Sequence, residues 1–112
     1  MPEWVDAADA GQLPEGGRRL IRRAGVEIAL FNVRGCVHAI ADSCPHAGGS
    51  LAAGRLDGTT IACRLHGLRF DLVTGLMHSG AGLRVQTYPV RLLDGRIEVD
   101  LAPVPTQASS AS

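Results

Sequence analysis

Turn signals, not helical repeats, set the limits on what this chain can fold into. No stretch of eleven or more residues places apolar side chains at helical spacing. Glycine turns punctuate it instead, at Ala24-Gly25, Arg34-Gly35, Asp57-Gly58, Thr74-Gly75 and Asp94-Gly95. Fourteen glycines and six prolines in 112 residues favour short strands joined tightly. Residues 1–17 read as an early strand and a loop around 13–17. "RRLIRR" and "VEIALFNV" form a hairpin, with Val26, Ile28 and Leu30 alternating toward one face, and "CVHAIAD" adds a strand. Residues 42–54 read as too glycine-rich for regular structure. Short pairs follow about Gly58 and Gly75, then a terminal hairpin of 83–93 against 96–101. This predicts an all-β sandwich or barrel in one domain, residues 1–102, with 103–112 a disordered tail.

Composition excludes several functions. Eleven acidic residues balance eleven basic ones, all arginine, which argues against a nucleic-acid protein. Three cysteines are an odd and small number for a secreted disulfide scaffold. The N-terminus lacks a basic start and an apolar run, and no segment is apolar enough to span a membrane. A cytoplasmic protein with reduced thiols is expected.

Two cysteines and two histidines fall as Cys44-x-His46, sixteen residues, then Cys63-x-x-His66. Each pair sits on a predicted turn at neighbouring strand ends, so four side chains can converge on one point. Thiolate and imidazole suit zinc and iron–sulfur centres alike. Structural zinc usually supports domains too small to fold alone, whereas 46% of this chain is apolar. The same donors also suit a [2Fe-2S] cluster, with two cysteines on one iron and two histidines on the other.

The stretch "CPHAGGSL…GRLDGTTIACRLHGLRFDLVTG" closely resembles the Rieske ferredoxins and Rieske-like domains of bacterial oxygenase systems. The likeness extends from about residue 4 to residue 101. It implies a small antiparallel β-sandwich or barrel whose cluster-binding subdomain is built from two loops at strand ends. It also implies that Cys44 and Cys63 hold the inner iron of a [2Fe-2S] cluster, and His46 and His66 the outer one. Two neutral imidazoles in place of thiolates leave the oxidised centre uncharged, so adding an electron meets less repulsion and the potential rises. High-potential respiratory members carry serine and tyrosine hydroxyls beyond the last histidine; here Leu68 and Phe70 stand there. Those members also join their loops by a disulfide, where this chain has Gly49 and Leu65. Both differences point to the low end of the range, roughly −150 mV. A third, covering loop of the family corresponds to 79–84, where Gly80 and Gly82 replace its proline.

The resemblance implies a one-electron carrier between a flavin-dependent NAD(P)H ferredoxin reductase and a terminal oxygenase of the aromatic-ring dioxygenase type, with catalysis in the partners. Ala47, Gly48, Gly49, Leu65 and Leu68 would ring the histidines as a small docking tip. A small subunit of an assimilatory nitrite reductase and a structural Cys2His2 zinc protein are the alternatives. Cys36 reads as a buried small hydrophobe, His38 as a strand residue without a metal, and His78 as a surface residue near the third loop. Arg55, Arg64 and Arg69 read as solvated charges able to steer an acidic partner.

Overall fold

The computed structural model describes residues 3–42, 50–63, 68–78 and 84–102. They form ten strands: β1 (Trp4–Asp9), β2 (Arg18–Arg23), β3 (Val26–Val33), β4 (Cys36–Ala41), β5 (Arg55–Asp57), β6 (Thr60–Ala62), β7 (Arg69–Asp71), β8 (Thr87–Tyr88), β9 (Val90–Leu93) and β10 (Arg96–Asp100). Short 3-10 turns lie at Ala10–Gln12 and Leu51–Ala53. Among the described residues the strands make three antiparallel sheets, ordered β1-β10-β9, β2-β3-β4-β8 and β5-β6-β7. No helix here is long and apolar enough to cross a membrane.

Two-residue connections explain the meander β2-β3-β4. Ala24 and Gly25, Arg34 and Gly35, and Asp94 and Gly95 all have positive φ, the pattern of type I′ turns whose twist suits a hairpin. Glycine takes that conformation freely; Ala24 and Arg34, at φ 53°, do so at a cost.

Strand β3 is buried on both faces, not one. Ile28 and Leu30 enter a cluster with Leu13, Ile21, Tyr88, Ile97 and Val99. Ala29 and Phe31 enter a second cluster with Leu51, Ile61, Cys63, Phe70 and Met77. Each large aliphatic or aromatic group so buried contributes about 1.5–3 kcal/mol. The second cluster joins the meander to the β5-β6-β7 sheet and so carries the end of the molecule where the cysteine and histidine loops begin.

The structure corrects three expectations. The stretch 83–93 is not one strand: Thr87–Tyr88 pairs with β4, whereas Val90–Leu93 pairs with β10 in another sheet. Pro89, which has no N–H for a ladder, marks the switch, and its carbonyl accepts from Asp100 N at 3.0 Å. Within 42–54, residues 51–53 form a 3-10 turn because Leu51 and Ala52 are buried in the second cluster. Cys36 is exposed, not buried: it pairs with Val33 at the hairpin end, where β4 has not yet reached the core. The expected tail, 103–112, lies outside the described residues.

His38 stands in an open cleft with Val37, Leu72, Val73, Tyr88 and Pro89. Burial lowers its pKa, and the Asp71 carboxylate partly opposes that.

Two outcomes are expected. Replacing Ala24 by Asn or Gly, which tolerate positive φ, should stabilise the fold by roughly 0.5–1 kcal/mol in chemical denaturation. His38, depressed when folded, is protonated more readily in the unfolded chain. Stability should therefore fall as pH drops below about 6.5 and level off beneath the folded pKa. His38→Asn should flatten that part of the melting-temperature profile.

Candidate metal centre

The β6-β7 hairpin delivers the second Cys/His pair. Its ladder runs Thr60↔Asp71, Ile61↔Phe70 and Ala62↔Arg69, and the next rung is a hydrogen bond from Cys63 N to Leu68 O at 2.8 Å. Cys63 is thereby fixed on the rung that precedes residues 64–67, which include His66. Its side chain belongs to the second apolar cluster, only 2% exposed, and it forms no disulfide. Phe70, fully buried, lies in the same cluster, with Leu68 half-buried against it.

The base of the third loop lies alongside. Met77 bridges to Phe70 and Arg84 to Leu76, while His78 N donates to Arg69 O at 2.9 Å. His78 and Arg84, the residues flanking 79–83, are thus held beside Arg69 and Leu76.

The first loop is pinned at its two ends. Asp42, at the end of β4 and 3% exposed, accepts from Leu51 N through its carbonyl at 2.7 Å and from Ala52 N through Oδ1 at 2.7 Å. Past the 3-10 turn, Gly54 packs on the backbone of Ala62, where any Cβ would overlap the Ala62 carbonyl oxygen. The return limb of the first loop is thus laid against the residue preceding Cys63. Arg18 of β2 holds the same turn through Nη1, which donates to the carbonyls of Ala52, at 3.3 Å, and Gly54.

Of the four ligands expected, Cys63 is placed as described, while Cys44, His46 and His66 lie outside the described residues. So do Ala47, Gly48, Gly49, Leu65 and Arg64, and the glycines of 79–83. The anchoring points nevertheless bring the bases of all three loops to one end of the β5-β6-β7 sheet. His78 is exposed, as expected, with Nε2 at 3.4 Å from Thr60 Oγ1. Arg55 and Arg69 are exposed on the same face, flanking Ala62. Among the described residues no three His, Cys, Asp or Glu side chains gather as a metal site. Sequence reasoning passed over Asp42, Gly54 and Arg18. An acid directly after an apolar strand and before a ligand loop was a local clue to Asp42; Arg18 acts across 36 residues and had none.

A buried sulfur on the body of the protein, with an imidazole on the loop it starts, fits a mixed thiolate–imidazole centre. When bound, such a cluster takes up and releases a single electron.

Residues 3–89 match the Rieske [2Fe-2S] domain. The chain is 34% identical, over 89% of its own length and 97% of the relative's, to the ferredoxin component of the naphthalene 1,2-dioxygenase system of Pseudomonas aeruginosa. It is 40% identical to the 3-phenylpropionate/cinnamic acid dioxygenase ferredoxin subunit of Shigella flexneri serotype 5b (strain 8401), covering 87% of this chain and 92% of that one. Among solved structures, a chain of the complex of reduced oxygenase and oxidized ferredoxin in carbazole 1,9a-dioxygenase superposes with a TM-score of 0.80. That likeness has 29% identity and covers 87% of this chain and 92% of that chain. The three anchored loops and the buried thiol at their base are therefore those of a member of the Rieske [2Fe-2S] family, to which this chain belongs.

Proposed function

We propose that this chain is a low-potential one-electron carrier. It takes electrons from a flavin-dependent NAD(P)H ferredoxin reductase and delivers them to a terminal oxygenase, of the aromatic-ring dioxygenase type, in which the catalysis resides. The observation that carries this reading is coverage. Relatives named as ferredoxin components are matched over nearly their whole length, so the likeness is to the carrier as a whole and not to one part of it. The likeness to a chain of a solved complex of reduced oxygenase and oxidized ferredoxin supports a partner of that kind. The reading places the protein in the cytoplasm, where nicotinamide reductant is available to the reductase.

Cys44, His46, Cys63 and His66 hold the [2Fe-2S] cluster in this reading. Burial of Cys63 supports an inner thiolate shielded from water. Leu68, half-buried beside it, supports an apolar rim that a partner can approach closely and leave again. Residues 1–102 form the cluster domain, with 103–112 outside it. In support, Leu101 N donates to Glu3 O at 3.0 Å, tying the end of the last strand to the start of the first.

The potential lies near the bottom of the Rieske range, roughly −150 mV. Leu68 and the buried Phe70 ring offer no hydroxyl to stabilise the electron-rich reduced state.

Purified protein should be coloured, contain iron and sulfide in equal amounts, and give a rhombic EPR signal of mixed thiolate–imidazole type after dithionite. Cys63→Ser or His66→Ala should abolish the visible absorbance. Colourless protein with stoichiometric zinc would overturn the reading. In a separate test, Leu68→Ser and Phe70→Tyr should each raise the midpoint potential measured by film voltammetry. An unchanged or lower potential in both would show that hydroxyl groups do not set it.

A further inference from the structure

The 3-10 turn at Leu51–Ala53 is gripped from two sides by residues that are not ligands. All three backbone and side-chain contacts of Asp42 are engaged: its N–H donates to Glu27 O at 3.0 Å, its carbonyl accepts from Leu51 N, and its Oδ1 accepts from Ala52 N. Asp42 cannot shift without breaking this set, and it stands two residues before Cys44. Arg18, from a different strand, takes up the carbonyls of Ala52 and Gly54. The turn itself is not a surface ornament: Leu51 and Ala52 are buried in the cluster that contains Cys63, and Gly54 rests on Ala62. Between these points runs a stretch with adjacent glycines, Gly48-Gly49, whose ordering costs more chain entropy than that of other residues. Fixing both ends of such a loop lowers what its ligands must spend to stay in place.

We propose that Asp42 and Arg18 are positioning residues for the iron–sulfur centre, clamping the Leu51–Ala53 turn so that the first loop keeps Cys44 and His46 in register with Cys63. The inference rests on the ligand reading above and assigns to two side chains the retention and coordination geometry of the cluster. Neither touches the metal or a ligand in this role; each acts through the backbone of one turn.

The test uses the holoprotein and three variants: Asp42→Ala, Asp42→Asn and Arg18→Met. Asparagine keeps an acceptor oxygen for Ala52 N–H; methionine keeps an apolar stem without donors. The readouts are cluster lifetime under a chelator, followed at visible wavelengths, and the EPR g-values of the reduced state. Asp42→Ala should shorten the lifetime about 10- to 100-fold and shift the g-values. Asp42→Asn should restore both to the wild-type result, and Arg18→Met should shorten the lifetime to a lesser degree. The proposal is overturned if Asp42→Ala keeps the wild-type lifetime and signal, or if Asp42→Asn fails as badly as Asp42→Ala. Should Asp42→Ala not fold, Arg18→Met decides on the same readouts, and a wild-type result there overturns the clamp. Failure of the ligand reading looks different. Wild-type protein would then lack the rhombic signal, while hydrogen exchange at the Leu51 and Ala52 amides would still quicken in Asp42→Ala.

Discussion

Burial of β3 on both faces is the constraint on which the remaining architecture depends. Alternate side chains of one strand enter two different apolar clusters, Ile28 and Leu30 on one side and Ala29 and Phe31 on the other. A strand facing water would need only one partner layer; this one requires two, and the β1-β10-β9 sheet and the β5-β6-β7 sheet supply them. The β5-β6-β7 sheet is consequently not an appendage on a flexible stem. Its own strands are three residues each, too short to persist alone, and their apolar face is completed by β3 and by the turn that follows β4.

That dependence explains how Cys63 comes to be buried at the end of such a small sheet. The thiol shares a cluster with Phe31 and Ile40 of the meander as well as with Ile61 and Phe70 of its own hairpin. The position of the sulfur is set by long-range packing. One further rung of hairpin ladder, Cys63 N to Leu68 O, ties its backbone to β7's side of the hairpin. The packing thus gives the Cys63 sulfur a rigid base, which is what a precisely held donor requires.

Much of this was legible in the sequence, for local reasons. Type I′ turns need glycine at fixed places, so the hairpins at 24–25, 34–35 and 94–95 were readable from dipeptides. The Cys-x-His and Cys-x-x-His spacings pointed to convergent donors, since two closely spaced donors on each of two loops is a pattern that metal chemistry uses. What escaped was what depends on a second layer. Ala29 and Phe31 face a sheet formed thirty residues later, and the alternation of Val26, Ile28 and Leu30 said nothing of that second layer. Pro89 was read inside a strand, although it divides two short ones that serve different sheets. Cys36 looked apolar enough for the core, yet it stands at a hairpin end that the core does not reach. Arg18 reaching the Ala52 and Gly54 carbonyls has no local signature at all.

The two-residue connections that join β2, β3 and β4 carry a consequence for how such a protein is made. Hairpins closed by so few residues assemble on the microsecond scale, with little loss of chain freedom, and need nothing but their own neighbours. Local closure thus favours early pairing of β2, β3 and β4, while covering Phe31 and Ile40 waits on segments that come later in the chain.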